Sequence, residues 1–288
     1  MPGKQTGWIG LGLIGLPMAA RLASAGWQVK GFDLSAQRLE MAVAKGIQAA
    51  PSAEIAMEGA SLVFTSMPTE AALIGLAGKL ATAMPKAAIL VETTTAGPAA
   101  SVNVAETLAA RGIAYLRSPI SGSVNLAESG GLTTFVSGPK AAFDAARPAL
   151  AAYSRAQIWL GEAEEARYAK LAVNLMVAVT AGMLGESLAL AQKGGIGWEA
   201  ALDLVGESVV ASPLVKYKLG PLRKRDYAPM ATGALMLKDL DLIVEAARQA
   251  GIDVPLAREV RAAYQRMAKA QLVGGGFHQH REALMCGC

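Results

Sequence analysis

The sequence predicts an α/β protein of two domains: residues 1–162 form a doubly wound, mostly parallel sheet, and residues 163–288 form an all-α domain joined to it by one long helix. Three observations predict this. Short apolar runs alternate with amphipathic stretches through the first half, the pattern of βαβ units. A Gly-x-Gly-x-x-Gly turn follows the first of those runs. Beyond about Gly161 the strand pattern ends and helical periodicity takes over.

Taken in order, Thr6 to Ile9 reads as a strand and Gly15 to Gly26 as a helix that Gly26 stops. Trp27 to Phe32 is the second strand. Ala36 to Lys45 is helical and ends at Gly46. Ser61 to Ser66 is an apolar strand that Pro68 turns, and Ala88 to Glu92 is another, followed by the turn Thr93-Thr94-Thr95. Gly97 to Arg111 is helical, closed by Gly112. Ile113 to Leu116 and Leu132 to Val136 are further strands. Glu164 to Lys193 keeps helical periodicity without proline; at 1.5 Å per residue it runs roughly 45 Å. Helices follow over Trp198 to Gly206, Gly233 to Gly251 and Pro255 to Gln271.

Composition narrows the class. The 288 residues are 53% hydrophobic and 17% charged, ample for two cores, and only 5% are aromatic. The formal net charge of +4 suits anionic ligands. It does not indicate nucleic acid, because the basic residues are scattered and the one run, Arg223-Lys224-Arg225, contains no aromatic residue to stack on bases. Both cysteines, Cys286 and Cys288, and both histidines, His278 and His280, lie in the last eleven positions, with no spacing suited to a metal or a structural disulfide. No metal site is expected. The first apolar run is broken by glycines and Pro17, unlike a signal peptide. No ~20-residue apolar stretch escapes charge or glycine. A cytoplasmic protein without membrane contact is expected.

The nucleotide site is the first chemistry the residues carry. Gly10-Leu11-Gly12-Leu13-Ile14-Gly15 joins a strand to a helix. Gly10 permits the tight turn, Gly12 lets the backbone approach a pyrophosphate, and Gly15 lets the helix pack close; the helix N-terminus attracts the anion. Asp33 ends the second strand, within about 20 residues of the turn, where a carboxylate binds ribose hydroxyls. The first domain is therefore a Rossmann-type dinucleotide-binding domain. Asp33 disfavours a 2′-phosphate, so NAD is expected ahead of NADP. Arg38 argues the other way, since it could reach that phosphate.

Four segments in order then resemble the β-hydroxyacid dehydrogenase family, which includes 3-hydroxyisobutyrate dehydrogenases and semialdehyde reductases within the 6-phosphogluconate dehydrogenase superfamily. They are Ile9 to Ala19, Ser118-Pro119-Ile120-Ser121-Gly122-Ser123, Lys170-Leu171-Ala172-Val173-Asn174 and Leu237-Lys238-Asp239-Leu240. The resemblance covers essentially residues 6–272. Ile14 stands where the family often has Met, Ser123 replaces a frequent second Gly, and Gly274 to Cys288 resembles nothing in it.

The resemblance implies hydride transfer between NAD(P) and a short hydroxy acid or semialdehyde. Lys170 would be the general acid/base, because partial burial beside a positive nicotinamide favours the neutral amine. Asn174, four residues on, shares its helix face and would orient substrate and lysine. Ser121, Gly122 and Ser123 would cradle the substrate carboxylate, and Lys238 would add positive charge to substrate or cofactor. Met67, Pro68 and Thr95 would line the cofactor; Thr95 also reads as a helix cap ahead of Pro98. An imine reductase of the same fold and a non-catalytic dinucleotide-binding module are the alternatives, and Lys170 argues against both. The long helix, rich in small residues, implies burial against a second subunit in a homodimer or homotetramer.

Overall fold

The computed structural model describes residues 4–225 and 233–269. The tail cysteines and histidines, and the last residues of the helix expected to Gln271, lie outside the described residues. By its internal contacts the chain divides into two compact units, Met1–Lys170 and Leu171–Cys288.

The first unit runs β1 (Gln5–Ile9), α1 (Gly15–Ser24), β2 (Gln28–Phe32), α2 (Ala36–Val43), β3 (Gln48–Ala49), α3 (Ala53–Met57), β4 (Leu62–Thr65), α4 (Glu70–Ala83), β5 (Ile89–Glu92), α5 (Pro98–Ala109) and β6 (Ala114–Arg117). It continues through β7 (Ile120–Ser121), α6 (Val124–Ser129), β8 (Leu132–Ser137), α7 (Lys140–Leu150) and β9 (Ser154–Gly161). The sheet order is β3-β2-β1-β4-β5-β6-β8-β7, with β9 paired to β8. From β3 to β6 every pairing is parallel; β8 pairs antiparallel with β6 and β7, and parallel with β9.

Why these runs are continuously apolar follows from where their side chains go. Neighbours along a strand face opposite sides of the sheet. Trp8, Phe64, Val91 and Leu116 enter a core under α1, α2, α6 and α7. The adjacent Ile9, Val63, Leu90 and Tyr115 enter a second core under α3, α4 and α5. Both faces are covered, so no polar alternation remains to be read.

The long helix α8 spans Glu165–Lys193. It is followed by α9 (Trp198–Glu207), α10 (Pro213–Lys224), α11 (Gly233–Gln249) and α12 (Pro255–Lys269). Within the second unit, Leu171 and Ala178 of α8 pack with Leu240, Ile243 and Ala246 of α11 and Ala257, Tyr264 and Met267 of α12. Further along, Leu184 and Leu188 pack with Trp198, Ala201, Leu202 and Val205 of α9 and Val215 and Leu222 of α10. Among the described residues α8 alone is long and apolar enough to cross a bilayer by length and composition. Its buried apolar residues Leu171, Ala178, Leu184 and Leu188 pack with these helices. Arg223 of the basic run is paired with Glu199 and Asp203.

Candidate active site

The strand order changes direction at β1, which has β2 on one side and β4 on the other. In open α/β sheets the crevice at the carboxyl ends of the strands, at such a reversal, binds the ligand. The loops leaving β1, β2, β4, β5 and β6 lie at those carboxyl ends.

The loop after β1 is the glycine turn. Gly10 holds φ +92°, and a Cβ there would lie 2.3 Å from the Ser66 carbonyl oxygen. A Cβ on Gly15 would lie 2.1 Å from the Gly10 carbonyl oxygen. Both are glycine because the backbone is already crossed there. Gly12 differs, because a Cβ on it would meet no atom within 4 Å. That open space is where an incoming group can approach bare backbone. Helix α1 begins beside it at Gly15; its N-cap, Ile14, gives no side-chain cap, and its first turn has no acidic residue. An unscreened helix N-terminus behind open backbone fits a pyrophosphate. Leu11, Leu13 and Ile14 complete the turn; Leu11 is buried, Leu13 exposed.

Asp33 is tied to this turn. One carboxylate oxygen accepts from the Leu11 N–H at 2.7 Å and the other from the Ser35 N–H at 2.9 Å. Capping of α2 falls to Ser35, whose hydroxyl accepts from the Arg38 N–H. Arg38 also returns to the turn, its guanidinium donating to the Leu11 carbonyl at 3.1 Å. Carboxylate and guanidinium thus hold the N–H and the carbonyl of one residue, Leu11.

The loops after β4 and β5 are bonded to each other. The Met67 N–H donates to the Thr94 hydroxyl at 2.9 Å, and Pro68 beyond it is exposed. Thr95 is half-buried and does not cap the next helix: Gly97 is the N-cap of α5, and its N–H donates to Glu70 at 3.0 Å. After β6, the expected Ser-Gly loop is partly ordered into β7, with Ser121 paired to Thr133 of β8. Gly122 holds φ +141°, and a Cβ there would lie 2.6 Å from Leu132. Ser123 is the N-cap residue of α6.

Lys170 and Asn174 lie one turn apart on α8, Lys170 half-buried and Asn174 buried. The Asn174 amide nitrogen donates to Asp239 at 2.7 Å. The other oxygen of Asp239 pairs with Lys238 at 2.9 Å. A carboxylate accepts only, so it must face the amide nitrogen, and the Asn174 carbonyl oxygen is left as the acceptor for another group.

A buried polar cluster escaped the sequence reading. Arg167 and Glu92, both fully buried, form an ion pair. Arg167 also donates to the Thr94 carbonyl at 2.6 Å, the Tyr115 hydroxyl at 2.8 Å and the Ser101 hydroxyl at 3.2 Å. Beside it, Arg117 pairs with Glu164. Burial opposes the charge on Arg167, but the Glu92 carboxylate outweighs it and holds the group protonated above the ordinary arginine range. Burial likewise pushes the Tyr115 phenol up. The available signal was a charged residue ending each of two otherwise apolar strands, Glu92 on β5 and Arg117 on β6.

The reversal point, the open glycine turn and the paired carboxylate define a dinucleotide-binding protein of Rossmann type. The NAD binding domain of 6-phosphogluconate dehydrogenase matches residues 5–161, and the NAD-binding domain of NADP-dependent 3-hydroxyisobutyrate dehydrogenase matches residues 165–284. The chain belongs to the β-hydroxyacid dehydrogenase family. It is 32% identical over 275 residues to a 3-hydroxyisobutyrate dehydrogenase of Pseudomonas aeruginosa, covering 91% of this chain and 92% of that one. An NAD-dependent L-serine dehydrogenase of the same organism is 31% identical over 277 residues, covering 92% and 93%. A solved structure of Mycobacterium tuberculosis 3-hydroxyisobutyrate dehydrogenase with L-serine superposes with a TM-score of 0.90 at 26% identity, covering 98% and 99%. The protein is an NAD(P)-dependent hydroxyacid dehydrogenase, transferring hydride between the nicotinamide cofactor and a hydroxy acid.

Proposed function

We propose that the enzyme interconverts a short hydroxy acid and its semialdehyde, with Lys170 as general acid/base. The observation that carries this reading is the pair Lys170 and Asn174 on one unbroken helix, with the Asn174 amide oriented by Asp239. The bound nicotinamide supplies the hydride acceptor. The chain must then remove the hydroxyl proton and hold the carbon in line. Neutral Lys170 takes that proton at Nζ; in the reverse direction its ammonium returns it. The Asn174 carbonyl oxygen accepts from the substrate hydroxyl or the lysine ammonium and fixes their approach. Ser121, Gly122 and Ser123 offer hydroxyls and backbone N–H groups to the substrate carboxylate, and Lys238 adds positive charge. Gly10 to Gly15 hold the pyrophosphate, and Met67, Pro68 and Thr95 border the nicotinamide.

Cofactor preference follows from Asp33. Its carboxylate favours ribose hydroxyls and repels a 2′-phosphate, and Arg38 is engaged with the Leu11 carbonyl. We assign NAD as the preferred cofactor. Residues 1–162 serve as the cofactor domain and 163–288 as the helical substrate and assembly domain of a cytoplasmic enzyme. On α8, Met176, Met183 and Leu190 are exposed at 70%, 48% and 76% and recur every seven residues, one stripe on a helix face. That stripe supports burial against a second copy in a homodimer or homotetramer.

Absorbance at 340 nm with a panel of hydroxy acids and semialdehydes tests the reaction. Turnover should need no amine; a requirement for one would indicate imine reduction instead. Lys170→Ala should lower kcat by at least ~10²-fold with NAD binding retained, since acid–base catalysis contributes ~10²–10⁴-fold. Lys170→Arg should not rescue, because guanidinium keeps its proton near neutral pH. Near-normal turnover in Lys170→Ala would overturn the assignment.

A further inference from the structure

Arg167 precedes Lys170 by three residues, in the first turn of α8, and is fully buried. Its guanidinium bonds four separate segments: Glu92 of β5, the Thr94 carbonyl in the following loop, Ser101 of α5 and Tyr115 of β6. The connections continue outward. Glu92 accepts from the Thr94 N–H at 2.5 Å through its second oxygen, and the Thr94 hydroxyl accepts from the Met67 N–H at 2.9 Å. The Arg117–Glu164 pair holds the residue just ahead of the helix. One side chain therefore joins the start of α8 to the two loops proposed to border the nicotinamide.

Helix-to-sheet attachment does not by itself call for such a device. Apolar groups of equal volume anchor a helix as well as or better than a buried ion pair, because two charges must be stripped of water. What the planar fork provides is direction. Several donors at fixed angles admit one rotation and one axial position of the helix, whereas apolar contacts tolerate small slips. Residues three apart on a helix are neighbours, about 5–6 Å between Cβ atoms, so whatever fixes Arg167 fixes Lys170. Displacements of about 1 Å cost on the order of 10²-fold in rate.

We propose that Arg167, locked by Glu92, is a positioning residue for the dehydrogenation: it sets the height and rotation of Lys170 against the loops at Thr94 and Met67. The inference rests on the assignment of Lys170 as the acid/base.

The test compares holoenzyme variants in the oxidation direction. In Arg167→Met/Glu92→Met both charges are replaced by apolar groups of similar length. Its melting temperature should stay near that of the parent, with NAD affinity and the KM for the hydroxy acid within about threefold, while kcat falls about 10- to 100-fold. A merely structural pair would not move kcat alone. A double variant with kcat within threefold of the parent overturns the proposal, and so does a loss of kcat matched by equal losses in NAD affinity and melting temperature. Should the double variant not fold, Arg167→Lys keeps the charge and loses the fork: the same fall of kcat at constant KM is expected, and full kcat overturns the proposal. Lys170→Ala in parallel separates the two assignments. If it stays active, the acid/base reading fails; if it is inactive while the Arg167 variants run at full rate, only the positioning inference fails.

Discussion

Gly12→Ala separates binding from folding in the glycine turn. The three glycines look alike in sequence and differ in space. At Gly12 an added methyl meets nothing within 4 Å, so the folded chain tolerates it. Stability should change by no more than about 0.5–1 kcal/mol, in the stabilising direction if anything, because alanine restricts the unfolded chain. The same methyl occupies the space through which the pyrophosphate reaches the backbone. A charge-assisted hydrogen bond contributes about 1.5–3 kcal/mol, so the loss of one should weaken NAD binding by at least about tenfold. Gly10→Ala and Gly15→Ala should behave in the opposite sense. Gly10 must keep a left-handed backbone, about 1–2 kcal/mol for a residue with a Cβ, and its methyl would meet the Ser66 carbonyl oxygen at 2.3 Å. Overpacking of that kind adds about 1–3 kcal/mol. At about 2–4 °C per kcal/mol for a chain of this size, Tm should fall by roughly 5–15 °C. Thermal melts and NAD titrations on the three variants decide it. If Gly12→Ala binds NAD within twofold of the parent, the pyrophosphate does not lie against Gly12; if it melts as early as Gly15→Ala, the space beside Gly12 is not open.

Three further outcomes are expected. Asp33→Ser should erode the preference for NAD in kcat/KM; a parent enzyme that prefers NADP would show that Arg38 governs the choice instead. Met183→Asp, placing a charge in the exposed apolar stripe of α8, should dissociate the assembly in light scattering, and a monomeric parent at micromolar concentration would remove the basis for that stripe as an interface. At alkaline pH, burial holds the Tyr153 and Tyr115 phenols above the ordinary tyrosine range and pushes Tyr264 up to about 12. A folded-state pKa above the unfolded value means stability that is intact below about pH 10 and lost as pH rises through the folded value. Tm should therefore be flat to about pH 9 and decline above 10, less steeply in Tyr153→Phe; a flat profile through pH 11 would contradict this.

The cofactor turn was legible because chemistry fixes its spacing: three glycines at set intervals, a strand before, a helix after, a carboxylate at the end of the next strand. Helix α8 was legible from uninterrupted periodicity without proline. Other elements gave weaker signals. In α4, Leu73, Ile74, Leu76 and Leu80 interleave with Ala and Gly on nearly all sides, so no apolar stripe stands out. Strand β9 is half-exposed and reads as irregular. Thr95 has the residue type of a cap, but Gly97 takes that place with Glu70 completing it from 27 positions upstream. Of the Arg167 cluster only the charged strand ends, Glu92 and Arg117, could be read; the pairing could not, for the same reason at longer range. Glu92 is 75 positions away from Arg167, and an arginine on a helix resembles a solvated one until the sheet closes over it.

Trp8 stacks on Phe64 with ring centroids 4.7 Å apart, and its indole N–H donates to the Gly10 carbonyl at 3.1 Å. The chain thereby carries an optical reporter wired to its own pyrophosphate turn. Of four tryptophans, Trp8 is fully buried and bonded to the peptide that a bound dinucleotide would polarise. Cofactor occupancy should register in its emission and in energy transfer to reduced nicotinamide, so that binding can be followed without any label or coupled reaction.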